Sequence, residues 1–398
     1  MTINNEHNKL NVPNLRFKEF EGEWEEHYLS DYLDFKNGLN PKPDKFGKGI
    51  KFISVMDILN NAVITYDCIK ASVDVTEKEL SDFSVEKGDM LFQRSSETLE
   101  DVGRANVYMD DKTAVFGGFV IRGKKKGEYD PQYFNYLLRS PFARKRIIPM
   151  GAGAQHFNIG QEGLSKVKLH FANIEEQNKI GKMLSLLDER ISIQSKVIED
   201  LKKLKCAITE KLYAEVKGTK YSYRQLFNII NERNKQLEYS NVLSASQEKG
   251  MVSREDLNLD IQFERSNINA YKIVRNGDYV IHLRSFQGGF AFSEKTGVCS
   301  PAYTILRPNG LLVYGYLSNY FTSRDFVKSL IIVTYGIRDG RSINVDEWLD
   351  MKVVIPSKEQ QSHIVNVIKS IENKIKNEET HSNCLLNQKQ YLLRQMFI

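Results

Sequence analysis

At 398 residues and 45.9 kDa the chain exceeds one ordinary hydrophobic core and suits two domains plus connectors. Hydrophobic residues at 41% and charged residues at 27% exclude a disordered composition and describe a globular one. A formal net charge of +5 is compatible with a nucleic-acid partner and too small to demand one.

The four cysteines, Cys68, Cys206, Cys299 and Cys384, form no C-x-x-C pair, so neither a zinc knuckle nor a redox dithiol is offered. They read as buried small hydrophobes in a reducing compartment. No apolar run approaches the ~18 residues of a membrane span. The opening MTINNEHNKL has no basic region leading into an apolar one. A cytoplasmic protein without membrane contact is expected.

Residues 1–12 are polar and read as a flexible tail. From 13 to 173 short β-branched and aromatic runs, punctuated by Gly, Asn and Asp, predict a mixed α/β globule. Within it KGDMLFQRS, Lys87–Ser95, is a glycine–aspartate turn entering a short apolar strand. A helix is expected over 131–146, bent or broken at Pro141.

From 174 to 216 the pattern changes. Ile180, Leu184, Leu187, Ile191, Ile198, Leu201, Ile208 and Leu212 recur at alternating steps of four and three, with Gln194 and Lys205 in the two missing places. That is a heptad seam, and a coiled-coil helix of about 60 Å is its direct reading.

A second globule follows over 219–356, containing NGDYVIHLRS, Asn276–Ser285, nearly the earlier phrase again and 189 residues later, counted from Gly88 to Gly277. A second long helix is expected over 357–398. Its Ile364, Ile368, Ile371 and Ile375 repeat the register of Ile180, Leu184, Leu187 and Ile191 at a distance of 184 residues. Beyond them Glu378, Ser382 and Lys389 share core places with Leu385, Leu392 and Met396; a shift of register onto Leu386 and Leu393 stays open. Two such helices bury their stripes most simply against each other, and heptads alone leave parallel and antiparallel pairing undecided.

The order globule, helix, globule, helix resembles the specificity subunit of type I restriction–modification systems over essentially the whole chain. The residues carrying the resemblance are NLRFKEFEGEWEEHYLSDYL near the start, the paired glycine–aspartate phrases, and the openings Glu175-Glu176-Gln177 and Glu359-Gln360-Gln361. Many relatives place proline before the first long helix, as Pro356 stands before the second; here the matching residue is Ala172.

The resemblance implies an α+β protein with two target recognition domains alternating with two helices paired as an antiparallel coiled coil, pseudo-twofold overall. It implies that each globule reads half of an asymmetric, bipartite site in double-stranded DNA, while the helices set the spacer and dock two modification subunits. Those would carry S-adenosylmethionine, and two restriction subunits would use ATP and magnesium.

No catalytic apparatus is legible in the chain itself. There is no G-x-x-x-x-G-K-[ST] loop and no Pro-Pro of an adenine methyltransferase motif. The seven histidines are scattered without metal-ligand spacing. The rival readings are a coiled-coil scaffold joining protein-binding domains, or a methyltransferase or nuclease with its own unfamiliar site.

Bases are read by side chains reaching groove edges, Arg suiting guanine and Asn or Gln adenine, while Lys and Arg hold phosphates. In the first half the candidates are Gln93, Arg94, Ser95 and Ser96, then Arg104, the basic turn Arg122, Lys124, Lys125 and Lys126, and the loop Gln155, His156 and Asn158. In the second they are His282, Arg284, Ser285 and Gln287, then Arg338, Arg341, Ser342 and Asn344. Arg94 and Arg284 read equally well as internal ion-pair partners, and the lysines as a solvated turn.

Overall fold

The computed structural model describes residues 2–3, 11–153, 155–246, 249–254, 265–282, 289–335 and 342–398. The chain divides into two compact units, residues 1–195 with 380–398, and residues 196–379. Two long helices, Ile174–Ala214 and Lys358–Gln395, contribute to both. No described helix is long and apolar enough to cross a membrane.

The main sheet of the first unit has four antiparallel strands in the spatial order Ala105–Val107, Met90–Gln93, Val120–Lys125, Leu33–Asn37. The second unit repeats it as Phe290–Phe292, Tyr279–Ile281, Thr304–Pro308, Phe227–Ile230. In both, the second strand in space follows the glycine–aspartate turn. Its apolar run is continuous because both faces are covered. Met90 and Phe92 enter one core and Leu91 another, just as Tyr279 and Ile281 enter one core and Val280 another.

The repeated phrase is therefore structural at its start. Gly88 and Gly277 sit at φ +95° and +94°, a region that a Cβ makes costly. The aspartate that follows turns back to accept a backbone N–H three residues earlier: Asp89 from Glu86 at 3.0 Å, Asp278 from Arg275 at 2.8 Å. Outside this shared frame the units differ. The first adds a mixed four-stranded sheet, in which Phe46–Ile53 pairs in parallel with Ala114–Phe116. The second has the hairpin Leu243–Ser246 with Gly250–Ser253.

The helix expected over 131–146 is two helices, Pro131–Arg139 and Pro141–Ile147. Ser140 caps the second by accepting from Ala143 N at 3.2 Å, and Pro141 takes the first position, where no N–H is missed.

Each unit packs the start of one long helix with the end of the other. In the first, Ile180 and Leu184 share a core with Leu392, Met396 and Phe397. In the second, Ile364 and Ile368 are buried in the core against which Leu212 packs. Lys202 pairs with Glu379 at 2.7 Å and Lys205 with Glu372 at 2.6 Å, so advancing along one helix means retreating along the other. The pairing is antiparallel.

Of the seam residues, Ile180, Leu184, Ile364, Ile368 and Ile375 are buried, while Leu187, Ile191, Ile198, Leu201, Ile208, Leu212 and Ile371 are half-buried. In the second helix the original register holds: Leu385, Leu392 and Met396 are buried and Leu386 is exposed. Lys389, in a core place, donates to Asp188 at 2.5 Å, and Tyr136 donates to the same carboxylate at 2.8 Å. The cysteines depart from expectation. All four are free, but only Cys299 is buried; Cys206 and Cys384 are exposed because each falls off the seam.

Candidate nucleic-acid interface

The main sheet of the first unit delivers two distant candidate segments to one place. Strand Met90–Gln93 continues through Arg94 into Ser95–Ser96, which pairs antiparallel with Phe157–Asn158. Ser95 Oγ donates to Asn158 Oδ1, and the Asn158 amide donates to the His156 carbonyl at 3.3 Å. Gln155, His156 and Asn158 are exposed here.

Gln93 and Arg94 serve mostly to hold this edge. Gln93 is buried and its amide donates to the Ser95 carbonyl at 2.9 Å, stiffening the turn rather than reaching outward. Arg94 makes no ion pair among the described residues; it donates to the Gly118 carbonyl at 3.3 Å. That bond brings in a third segment, Gly117-Gly118-Phe119. Phe119 is 67% exposed, and with Phe46, Met56 and Ser95 it lines an open apolar cleft of about 440 Å³.

Sequence reasoning did not select Phe119, since an aromatic in a strand-rich stretch reads as core. The adjoining glycines were the available signal. Polar Ser95 and Asn158 beside an exposed aromatic combine hydrogen bonding with an apolar surface of the kind that meets a thymine methyl.

The basic turn lies elsewhere. Val120 stands opposite Gln93 on the neighbouring strand, and Lys125 is five residues further along, about 17 Å at strand rise. Lys124 faces Glu86 at 3.7 Å; Lys125 donates to the Tyr129 carbonyl at 2.9 Å and lies over that ring. Lys126 is exposed. Arg122 is no part of a solvated turn: it is buried in the strand, over Phe116, and donates to the Ser84 carbonyl.

Arg104 is exposed, pairs with Asp101 at 2.5 Å, and joins the edge formed by Ser95 and Asn158 through its carbonyl, which accepts from Gln93 N at 2.8 Å.

In the second unit Arg284, Ser285, Gln287, Arg338 and Arg341 lie outside the described residues. His282 is half-buried, and burial lowers the affinity of its imidazole for a proton. Ser342 joins the backbone ladder opposite Tyr335. Asn344 caps the helix Val345–Asp350, accepting from Glu347 N at 3.3 Å, a structural task that explains its place without a ligand. Among the described residues no group of three or more His, Cys, Asp or Glu could hold a metal.

Comparison with known proteins agrees with this architecture. Residues 21–203 match the family model of the type I restriction modification DNA specificity domain. A protein of Methanocaldococcus jannaschii described as the MjaX type I restriction enzyme specificity subunit is 27% identical over 210 residues, 52% of this chain and 49% of that protein. The EcoKI specificity subunit of Escherichia coli K12 is 25% identical over 140 residues, 35% of this chain and 29% of that one. The chain thus spans about half the length, or less, of these curated relatives.

Two solved structures match nearly end to end. The type I restriction–modification S subunit from M. genitalium gives a TM-score of 0.56 at 14% identity, over 97% of this chain and 99% of that one. A chain from a study of complex assembly and conformational transition in a type I system gives 0.58 at 13%, over 93% and 96%. At such identities the likeness is one of fold.

Proposed function

We propose that this chain, whose residues 21–203 belong to the type I restriction modification DNA specificity domain family, is the non-catalytic DNA-reading subunit of such a system. The observation that carries the reading is one antiparallel sheet built twice. In the first copy its glycine–aspartate strand leads to a polar edge of Ser95, His156 and Asn158, flanked by Phe119. The domains at 13–173 and 219–356 each read one half of a split site in double-stranded DNA, and the helices at 174–216 and 357–398 hold the unread spacer. In the second half Arg284, Ser285, Gln287, Arg338 and Arg341 supply the base contacts. Unlike polar contents on a like frame give an asymmetric target.

Two modification subunits supply S-adenosylmethionine and methyl transfer; two restriction subunits supply ATP- and magnesium-dependent work. In the first unit Leu186 and Ile193, seven apart on the first long helix and off its seam, are exposed, as are Val197 and Leu204, also seven apart, in the second; each pair supports docking of a protein partner on its own unit.

The test is a methylation map. The chain is expressed with its modification subunit in a methylation-free bacterial host, and modified adenines are located genome-wide. One asymmetric motif of two short halves with a constant gap is expected. No new methylation from a demonstrably assembled complex would favour a scaffold role.

A further inference from the structure

Beside the reading edge of the first unit lies a cleft of about 440 Å³ into which three arginines converge: Arg104, Arg139 and Arg144. Two of them are fixed by carbonyls rather than by carboxylates. Arg139 donates to the Ala105 carbonyl at 3.2 Å and the Asn61 carbonyl at 3.3 Å. Arg144 donates through Nη2 to the carbonyls of Glu100 at 2.8 Å and Val102 at 2.7 Å. Its Nη1 is buried and has no hydrogen-bond partner.

A buried guanidinium nitrogen without an acceptor is costly, and it marks a place where an acceptor belongs. Burial and the nearby Arg104 push the Arg144 guanidinium down to about 10; burial also lowers Arg139, against the opposing pull of Asp188. The neighbouring Asp101 is already engaged by Arg104. Three guanidinium groups therefore meet on one rim; of the carboxylates near them, Asp101 is bonded to Arg104 and Asp188 to Lys389, while Glu100 is exposed at the cleft.

We infer that this cleft is a phosphate seat, taking one phosphodiester of the DNA strand that passes the reading edge. The inference rests on the DNA-reading function proposed above and adds a site to it. Guanidinium forks match phosphate oxygens, and arginines already held by carbonyls surrender little side-chain freedom on binding. Among anions a DNA phosphate is favoured by position. Arg104 is hydrogen-bonded through its backbone to Gln93, and the cleft residues Glu100 and Arg104 lie just along the chain from Ser95 and Ser96. A strand whose bases face Asn158 and Ser95 would carry its backbone across this rim, and the contact would fix register without reading sequence.

The test uses the full chain assembled with its modification subunits and a duplex carrying the mapped target. Each phosphate around the half-site is replaced, one at a time, by a neutral methylphosphonate. One position is expected to weaken binding by about tenfold, the worth of one charge-assisted contact. At that position Arg144→Gln should show no further loss, and its salt slope on unmodified DNA should fall by about one. A flat methylphosphonate scan with wild-type protein would overturn the seat, whatever the variant's own stability. So would Arg144→Gln binding with an unchanged slope. Failure of the wild-type complex to prefer its target over other duplexes would instead remove the reading on which the seat depends.

Discussion

The two long helices begin with nearly the same residues and use them differently. Gln177 and Gln361 do one job twice. Each amide donates to the carbonyl five residues earlier, Gln177 to Ala172 at 2.8 Å and Gln361 to Pro356 at 3.0 Å, and each amide oxygen accepts a backbone N–H from the globule, Asp130 or Val313. The residue before it diverges. Glu176 is wholly buried, gripped by Arg16 through Nε at 2.8 Å and Nη2 at 2.7 Å, with the Trp24 indole donating at 3.2 Å. Gln360, its counterpart, is exposed. The first unit lays residues 15–24 against its helix opening, and that segment supplies a cation that a buried carboxylate requires. A repeat thus keeps what the frame needs and frees what only a neighbour needs.

The largest effect should come from breaking that difference. Arg16→Met leaves Glu176 buried without its cation and should cost the first unit about 3–5 kcal/mol, whereas Gln360→Ala should stay within about 0.5 kcal/mol. The chain's two tryptophans, Trp24 and Trp348, fall one in each unit, so urea unfolding followed by fluorescence in a Trp348→Phe background reports the first unit alone. Equal effects of the two substitutions would erase the distinction.

A second experiment sharpens the comparison at the edge proposed to read DNA. If the proposed DNA-reading role holds, Asn158→Ala should cost about 1–3 kcal/mol of discrimination at one half of the proposed bipartite target and leave the other half untouched. Competition binding with duplexes altered in each half separately would show it. Loss spread over both halves would mean that Asn158 supports folding or assembly instead.

The smallest effect concerns the paired aspartates. Asp278 receives two bonds from Arg307, at 2.8 and 2.9 Å, while Asp89 relies on backbone N–H groups of Glu86 and Lys125. Arg307 is 34% exposed, so Asp278→Asn should cost only about 1 kcal/mol. Burial holds the Asp89 carboxyl above its ordinary 3.8. Its contribution to stability is then complete below that ordinary value and is lost as pH rises through the raised one. Asp89→Asn should therefore compare more favourably with wild type at about pH 7 than at about pH 4. Thermal unfolding at both pH values checks the sign.

Much of the frame was legible because its signals are local. Heptad spacing predicted both long helices, Pro141 predicted a break, and the glycine–aspartate phrase predicted a strand entry that backbone angles and a turned-back carboxylate explain. The candidate site was legible only in part. Ser95 and Asn158 were selectable as polar loop residues, but nothing local distinguishes Arg122, buried over Phe116, from the lysines that follow it. Phe119 was passed over because its exposure depends on what packs around it.

What the sequence determined by itself is the outline of the architecture: periodicity, turn chemistry and a spacing repeated over half the chain state where the long helices and the glycine–aspartate strands lie, and that they come twice. What only the tertiary structure decided is company. Ser95 meets Asn158, Arg16 meets Glu176, and Arg104 meets Arg139 and Arg144, although the members of each meeting lie tens of residues or more apart in the chain. Periodicity reports which face of an element is buried; it carries no information on which distant side chain waits there.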